Sequence, residues 1–228
     1  MIQALIFDVF GTCVDWRTSV AHEVSKVLPQ VDAVAFATAW RAEYEPAMAR
    51  VSGGARGYVP LDVLHLENLL SVCRDFDVRL KRPEELNTAW EKLTPWPDVV
   101  QGLNEMKRDR IIAPCSNGSV ALMTRLARHA GLPWDCILGA DLAQDYKPQP
   151  AVYLQSCAAL RLRPEQVVMV AAHNSDLSAT RALGLKTAFV PRLTEHGPDQ
   201  QTDLRPEESW DFVAEDFADL ARQVSSFA

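Results

Sequence analysis

Short apolar runs that alternate with helical patterns are the feature that most constrains how this chain can fold. Five runs have the length and composition of buried strands, and they cover residues 3–8, 111–115, 135–139, 167–171 and 187–190. Four other stretches have helix-like spacing or composition: 98–109, 119–131, 149–160 and 176–184. Strands that alternate with helices predict an α/β fold, with a parallel sheet covered by helices on both faces.

Residues 15–95 break this alternation, because apolar residues there recur at helical spacing and no convincing strand is present. We predict about four helices in this segment. The predicted organisation is a discontinuous Rossmann-like core, residues 1–14 and 96–228, with an inserted all-helical cap domain at 15–95. Since the first strand leads directly into the insertion, we expect the cap to cover the C-terminal edge of the sheet, where open α/β sheets bind ligands. A second domain that packs alongside the sheet is the alternative.

The composition excludes several classes of function. Hydrophobic residues make up 48% and charged residues 23% of the chain, as in globular proteins, and the net charge of -7 argues against nucleic-acid binding. The five cysteines form no C-x-x-C pair, which disfavours zinc and dithiol chemistry and fits a reducing cytoplasm. No signal peptide or membrane-spanning run is evident. We therefore expect a cytoplasmic protein with no membrane partner.

Asp8 lies where the first predicted strand ends and turns through Gly11. A carboxylate at this edge of a parallel sheet is placed to react with a bound ligand, and the amides that follow it are placed to bind an anion. Thr12 is positioned to orient the carboxylate by a hydrogen bond. The alternative is an aspartate that caps the turn.

Two further clusters follow later predicted strands. Ser116 and Asn117 come where residues 111–115 end, and they offer a hydroxyl and an amide for an anionic substrate or leaving group. An ordinary helix cap explains them equally well. Lys147 precedes Pro148, which we expect to begin a helix, and its amine is a suitable partner for the carboxylate of Asp8. By itself, Lys147 reads more simply as a solvated surface charge.

A fourth cluster contains His173 and Asp176, after the run 167–171. A second carboxylate near Asp8 is suited to activating a hydrolytic water. A buried structural histidine and an aspartate that caps a helix are the alternatives. All four clusters come at the predicted carboxyl ends of parallel strands, and independent caps would rarely give that arrangement.

These residues resemble the haloacid dehalogenase superfamily, and within it the type II 2-haloacid dehalogenases (L-2-haloacid dehalogenases). The likeness runs through nearly the whole chain. It rests on residues 7–12, 116–119, 146–148 and the stretch from Asp176 to Gly184. Phosphatases of the superfamily carry a second acid where this chain has Phe10, and a metal-binding acid where it has Ala172. The resemblance therefore implies a reaction without metal or cofactor.

The resemblance also implies a role for each site residue. Asp8 displaces halide from a short 2-haloalkanoic acid, and water assisted by Asp176, with Lys147 nearby, then hydrolyses the ester, while Thr12 positions the carboxylate. The implied substrate-binding residues are Val9 and Phe10 through their amides, with Arg41, Ser116, Asn117, Tyr153, His173 and Asn174. The implied halide-binding residues are Arg41, Asn117 and His173.

This chain departs from the best-known type II pattern, in which Ser-Ser-Asn stands where it has Ala171, Ala172 and His173. The His-Asn version, with residues 16–18 and 195–198, resembles a subgroup in which fluoroacetate turnover is known. Defluorination is therefore a hypothesis for this chain. The stretch from Glu195 to Trp210 is expected to be either a loop over the site or plain surface.

Two other functions remain open at this point. One is a magnesium-dependent phosphatase that uses the same nucleophile, and the other is a catalytically silent protein that binds small anions. The expected partners are a small haloacid and halide. The resemblance further implies that the enzyme prefers L substrates and that it forms a homodimer.

Overall fold

A computed structural model describes residues 1–227, apart from the side chain of residue 55. Within that range six strands form one parallel sheet in the order β5-β4-β1-β6-β7-β8. The strands are β1 Ala4–Phe7, β4 Ile111–Ser116, β5 Leu138–Gly139, β6 Val167–Ala171, β7 Lys186–Phe189 and β8 Phe212–Val213. The predicted α/β fold class and its five strands are confirmed. β8 was not predicted, because a strand of two residues leaves no apolar run in the sequence.

Helices that follow the strands cover the sheet. They are α6 Val99–Met106, α7 Val120–Ala130, α8 Ala140–Ala143, α9 Pro150–Ala159, α10 Asn174–Arg181 and α11 Phe217–Ser226. The four predicted helical stretches match α6, α7, α9 and α10, whereas α8 and α11 were not predicted. Pro150, and not Pro148 as expected, occupies the first turn of α9.

The segment between β1 and α6 is mostly helical. Its helices are α1 Trp16–Val27, α2 Ala33–Ala42, α3 Tyr44–Arg50, α4 Leu61–Asp75 and α5 Pro83–Asn87, with a π-helical turn at Val51–Ala55 and a 3-10 turn at Thr88–Glu91. Two short strands, β2 Val14–Asp15 and β3 Thr94–Pro95, pair antiparallel where the chain enters and leaves this segment. The expectation that residues 15–95 contain no strand is therefore wrong at the two ends of the segment.

The sheet brings the predicted site elements together at one edge. β1 lies between β4 and β6, with Phe7 in register with Pro114 on one side and Val170 on the other. β6 is buried along its whole length, as its continuous apolar sequence predicts for a central parallel strand. The loops after β1, β4 and β6 consequently meet at the carboxyl edge.

No helix in residues 1–227 is both long enough and apolar enough to cross a membrane.

Candidate active site

Asp8 follows β1 directly and is buried, with 7% of its surface exposed. Its amide donates to the carbonyl of Val170, which ties it to β6. The hydroxyl of Thr12 donates to Asp8 Oδ2 at 2.7 Å and accepts from the amide of Ala172 at 2.9 Å. Thr12 thus fixes the carboxylate relative to the neighbouring strand.

Lys147 joins the two carboxylates that the sequence singles out. Its Nζ lies 2.8 Å from Asp8 Oδ1 and 2.6 Å from Asp176 Oδ2. The hydroxyl of Tyr153 donates to Asp176 Oδ1 at 2.5 Å. All these side chains are largely buried, so one ammonium group holds two carboxylates in a site with little water.

The charges in this cluster are mutually stabilised. Burial alone would raise the pKa of Asp8, but the positive charge of Lys147 and the contact with His173 outweigh it and hold that pKa well below its usual range. Burial would likewise lower the pKa of Lys147, yet Asp176 and Asp8 raise it well above its ordinary value. Asp8 is therefore an ionised carboxylate, and Lys147 a cation, at neutral pH.

Asn117 links the sheet edge to the helical segment. Its Oδ1 accepts from the amide of Lys147 at 2.7 Å, and its Nδ2 donates to the hydroxyl of Tyr44 at 3.0 Å. Ser116, the last residue of β4, is buried, and its hydroxyl accepts from the amide of Gly118. These bonds fix both predicted ligand-binding side chains of this loop.

Arg41, on α2, lies over the ring of Tyr44, with 3.8 Å between the guanidinium carbon and the ring centroid. The same guanidinium carbon lies 5.6 Å from the centroid of the Trp16 ring. Tyr44 therefore brings Arg41 and Asn117 into one neighbourhood, as a shared halide site requires. Sequence reasoning did not identify Tyr44, because a lone tyrosine in a helical segment gives no functional signal.

Val9 and Phe10 form the turn that follows Asp8. In the described part of the chain, neither of their amides donates a hydrogen bond to another protein group. Both side chains are buried, and the Phe10 ring packs edge-on against Trp90 at 5.9 Å. The two amides thus remain free to bind a substrate carboxylate, whereas the side chain of Phe10 is part of the core.

His173 was predicted to bind halide, but its ring lies between two carboxylates. Its Nδ1 lies 3.2 Å from Asp8 Oδ2 and its Nε2 lies 2.8 Å from Glu195 Oε2. Since both ring nitrogens have carboxylate partners, no N–H group is left for a halide. This arrangement argues against the predicted halide role of His173 and places its ring against Asp8 instead.

Asn174 also departs from the expected role in substrate binding. Its side-chain nitrogen donates to Asp203 and to the carbonyl of Arg205, and its oxygen accepts from Glu207 and Trp210. These four bonds engage the whole amide group, so Asn174 anchors the loop that precedes β8 and has no donor left for substrate.

The family model for haloacid dehalogenase-like hydrolases matches residues 2–184, most of the chain. The chain belongs to the haloacid dehalogenase-like hydrolase family. This confirms the resemblance seen in the sequence, and the matched range includes Asp8, Lys147 and Asp176.

Several characterised relatives and solved structures are similar over nearly the full length. A defluorinating L-2-haloacid dehalogenase is 47% identical, covers 99% of this chain and 96% of its own, and superposes with a TM-score of 0.96. An L-2-haloacid dehalogenase from Xanthobacter autotrophicus with covalently bound chloropropionic acid is 25% identical, with full coverage of both chains and a TM-score of 0.86. An (S)-2-haloacid dehalogenase from Pseudomonas sp. (strain CBS-3) is 27% identical over 85% of this chain and 86% of its own.

Glu195 is a second residue of the site, after Tyr44, that sequence reasoning left without a role. It is 1% exposed, it contacts His173, and its Oε1 accepts from the indole of Trp16 at 2.9 Å. The run Thr194-Glu195-His196 is polar and has no periodicity, so only the folded chain places it at the site. The stretch from Glu195 to Trp210 therefore begins inside the site.

Proposed function

We propose that this protein is a 2-haloacid dehalogenase that hydrolyses short 2-haloalkanoic acids, such as haloacetate and L-2-halopropionate, to 2-hydroxy acids and halide. The observation that carries the proposal is the buried arrangement of Asp8, Lys147 and Asp176, in which one carboxylate is held ionised beside a second. Relatives whose names state this activity support it.

In the first step, a carboxylate oxygen of Asp8 forms a bond to the substrate carbon that bears the halogen. The carbon–halogen bond breaks in line, and the halogen leaves with the electron pair as halide. The depressed pKa of Asp8 keeps this nucleophile ionised at neutral pH. The covalently bound chloropropionic acid in the Xanthobacter autotrophicus enzyme supports this route.

Two sets of donors recognise the reacting ends of the substrate. The substrate carboxylate binds the free amides of Val9 and Phe10 and the hydroxyl of Ser116. The departing halide is bound by Arg41 and Asn117, which share Tyr44 as a neighbour. These donors face charge that develops only as the bond breaks, which is the condition for lowering the barrier.

In the second step, water adds to the side-chain carbonyl carbon of the Asp8 ester. One water proton passes to Asp176 and on to the departing 2-hydroxy acid as the ester bond breaks, and the second leaves the new carboxyl group of Asp8 for the solvent. Lys147 stays close to both carboxylates throughout, and Tyr153 holds the orientation of Asp176. The products are a 2-hydroxy acid and the regenerated carboxylate of Asp8.

Fluoroacetate is included among the proposed substrates. The similarity to a defluorinating enzyme at 47% identity supports this, and so do the hydrogen-bond donors around Asp8. The test is fluoride release by the purified protein, measured with a fluoride electrode beside the Asp8→Asn variant. Fluoride release no faster than in the variant would remove fluoroacetate from the list and leave chloroacetate turnover to be judged separately.

A magnesium-dependent phosphatase is the competing function, and the donors around Asp8 do not fit it. Phe10 and Ala172 occupy the positions that acids hold in phosphatases, and the ammonium of Lys147 lies between the two remaining carboxylates. A dehalogenase should keep its activity in a chelator, whereas magnesium-dependent release of phosphate would favour the alternative. Halide binding without turnover would instead favour a silent anion-binding protein.

The decisive experiment is a single turnover of chloroacetate in heavy-oxygen water, followed by mass spectrometry of the peptide that contains Asp8. The proposed ester route places the label in the carboxylate of Asp8. Label found only in the product would mean that water attacks the substrate directly, and would overturn the covalent mechanism.

The proposal also includes the division of the chain into two domains. Residues 15–95 act as a cap over a core made of residues 1–14 and 96–228, and Tyr44 and Asn117 form one contact between them. A homodimer remains a prediction from the family resemblance, and a cytoplasmic location remains a prediction from the cysteine pattern. Light scattering of the purified protein and cell fractionation test them.

A further inference from the structure

His173 lies between two carboxylates, and the mechanism above uses only one of them. Its Nδ1 is 3.2 Å from Asp8 Oδ2, and its Nε2 is 2.8 Å from Glu195 Oε2. Glu195 is almost completely buried, and an acid in such a place requires hydrogen bonds or a cation. The imidazolium of His173 satisfies this requirement.

The fold builds a specific place for Glu195 beside the turn that follows Asp8. A Cβ atom at Gly11 would lie 2.0 Å from Glu195 Oε1, and Gly11 has a φ of +88°. The indole of Trp16 donates to the same oxygen at 2.9 Å. Glu195 is thus held from two sides and presents its other oxygen to His173.

The two oxygens of Asp8 have different partners. Oδ2 faces the hydroxyl of Thr12 and the Nδ1 of His173, whereas Oδ1 faces the ammonium of Lys147. If Oδ1 attacks the substrate, Oδ2 becomes the carbonyl oxygen of the ester. Two donors at that oxygen form an oxyanion hole for the addition of water.

We propose that Glu195 is a positioning residue for ester hydrolysis: it orients His173 and keeps it protonated, so that Nδ1–H donates to Asp8 Oδ2 when water adds to the ester. This inference rests on the dehalogenation proposed above. Glu195 contacts His173 and not Asp8, so it acts on the reacting ester through the imidazole.

The step is balanced without any further reactant. Water forms a bond to the carbonyl carbon of the ester, its proton goes to Asp176, and the carbonyl electron pair moves to Oδ2, where Thr12 and His173 stabilise the negative charge. As that pair returns, the bond between the carbon and Oδ1 breaks. The released hydroxy acid takes up the proton held by Asp176, the second water proton leaves the carboxyl group of Asp8 for the solvent, and His173 is unchanged at the end.

The charged groups around His173 determine how this step responds to pH. Asp8 and Glu195 contact the imidazole, Lys147 lies beyond Asp8, and His196 lies 3.7 Å from Glu195. Burial opposes protonation, but the two carboxylates raise the pKa of His173 well above its ordinary value. Once Asp8 is esterified and neutral, Glu195 is the anion that still contacts the ring.

The test is Glu195→Gln, which keeps the shape and removes the charge. Halide release in the first turnover should remain close to wild type, whereas ester hydrolysis should slow by about 10- to 100-fold. Intact-protein mass spectrometry after mixing with chloroacetate should then show a carboxymethyl adduct that wild type does not accumulate. Equal slowing of both steps, or no adduct, would overturn the proposal.

The pH dependence gives a readout that a structural role would not move. In Glu195→Gln the pKa of His173 falls, so hydrolysis should recover as the pH is lowered through that pKa and decline as the pH rises. Wild type should show no such decline near neutral pH. The matched control is Glu207→Gln, an exposed acid of the same loop, which should behave as wild type.

A double-mutant cycle with His173→Asn separates action through His173 from any other effect. If Glu195 acts only through the imidazole, adding Glu195→Gln to His173→Asn should slow hydrolysis by less than about twofold. Additive losses would overturn the proposal. Should Glu195→Gln fail to fold, Glu195→Asp keeps the charge but moves the carboxylate away from Nε2, so ester hydrolysis should slow while halide release is kept; equal slowing of both steps would overturn the proposal.

A wild-type protein that releases no halide from any haloacetate would contradict the proposed function itself. Wild-type turnover without an adduct in Glu195→Gln would contradict only the role of Glu195.

Discussion

The sheet side and the helical side of the site satisfy their polar atoms differently. On the sheet side, both oxygens of Asp8 and both oxygens of Asp176 accept from donors that the fold supplies. On the helical side, Arg41 Nε, both ring nitrogens of His65 and Trp90 Nε1 are buried without a hydrogen-bond partner in the described part of the chain. The fold thus gives both oxygens of Asp8 fixed partners, whereas buried donors of the helical segment have none in the described part of the chain.

This difference shows how the two sides divide the proposed reaction. The nucleophile must stay ionised and oriented before substrate arrives, which requires fixed partners for Asp8. A leaving halide needs donors that become occupied only as charge develops, and a buried donor without a partner carries a desolvation cost until then. Variants on the sheet side should therefore have large effects, and variants on the helical side smaller ones.

Asp8→Asn should have the largest effect, because it removes the nucleophile and leaves the shape of the site. We expect halide release to fall by at least about a thousandfold. Ion chromatography of the halide released from chloroacetate provides the measurement. The control is Asp75→Asn, at an exposed position near the end of α4, and residual activity in Asp8→Asn comparable with that control would rule out the covalent mechanism.

Lys147→Met should reduce activity strongly and also destabilise the protein. It leaves two buried carboxylates without their shared cation, which we expect to cost about 3–5 kcal/mol of unfolding free energy at pH 7. The pKa of Asp8 should rise in the variant, so acidification should recover part of this loss. In wild type the sign is opposite, since the depressed pKa of Asp8 stabilises the fold above its unfolded-state pKa and this stability is lost as the pH falls.

Urea unfolding of Lys147→Met and wild type at pH 7 and at about pH 3.5, which is below the ordinary aspartate pKa of 3.8, tests this reversal of sign. Lys26→Met serves as the control, because its ion pair with Glu23 is exposed and should be worth less than about 1 kcal/mol. A variant as stable as wild type at both pH values would show that Lys147 does not hold the two carboxylates.

Arg41→Lys should have an intermediate effect, confined to halide departure. Lysine keeps the charge but loses the planar fork and the stacking on Tyr44, so we expect kcat for chloroacetate to fall by about 10- to 100-fold. Steady-state kinetics measure kcat for both variants and wild type, and the control is Arg50→Lys at an exposed position. A kcat equal to that of the control would place the halide elsewhere.

His65→Phe should have the smallest effect, and its direction is informative. The ring stacks on Trp90 at 4.3 Å, and burial lowers the pKa of His65 well below its ordinary value, so the residue is neutral. Phenylalanine keeps the stacking and removes two buried nitrogens without partners. Stability should therefore be unchanged or higher by up to about 1 kcal/mol.

Thermal unfolding of His65→Phe, beside Leu64→Ala as a neighbouring cavity variant expected to lose about 2–5 kcal/mol, gives the comparison. A loss in His65→Phe as large as that of Leu64→Ala would mean that the nitrogens of His65 are bonded in solution. The helical side would then have satisfied polar atoms like the sheet side, and the proposed difference between them would be wrong.

The fold could be predicted wherever local patterns match the folded environment. β6 has a continuous apolar sequence because both faces of a central parallel strand are buried, and its position follows directly from that run. β8 and α8 are too short to show any periodicity. They form because neighbouring strands and loops are already in place, so the sequence pattern does not predict them.

The sequence by itself determined the reactive edge, because Asp8, Asn117 and Asp176 come shortly after β1, β4 and β6 end, and parallel strands end on the same side of a sheet. Only the tertiary structure decided which partners these groups meet. It turned Asn174 toward the loop at 203–210, and it brought Glu195 against Gly11 and His173. Such contacts join residues far apart in the chain through side-chain packing, and no local spacing encodes that packing.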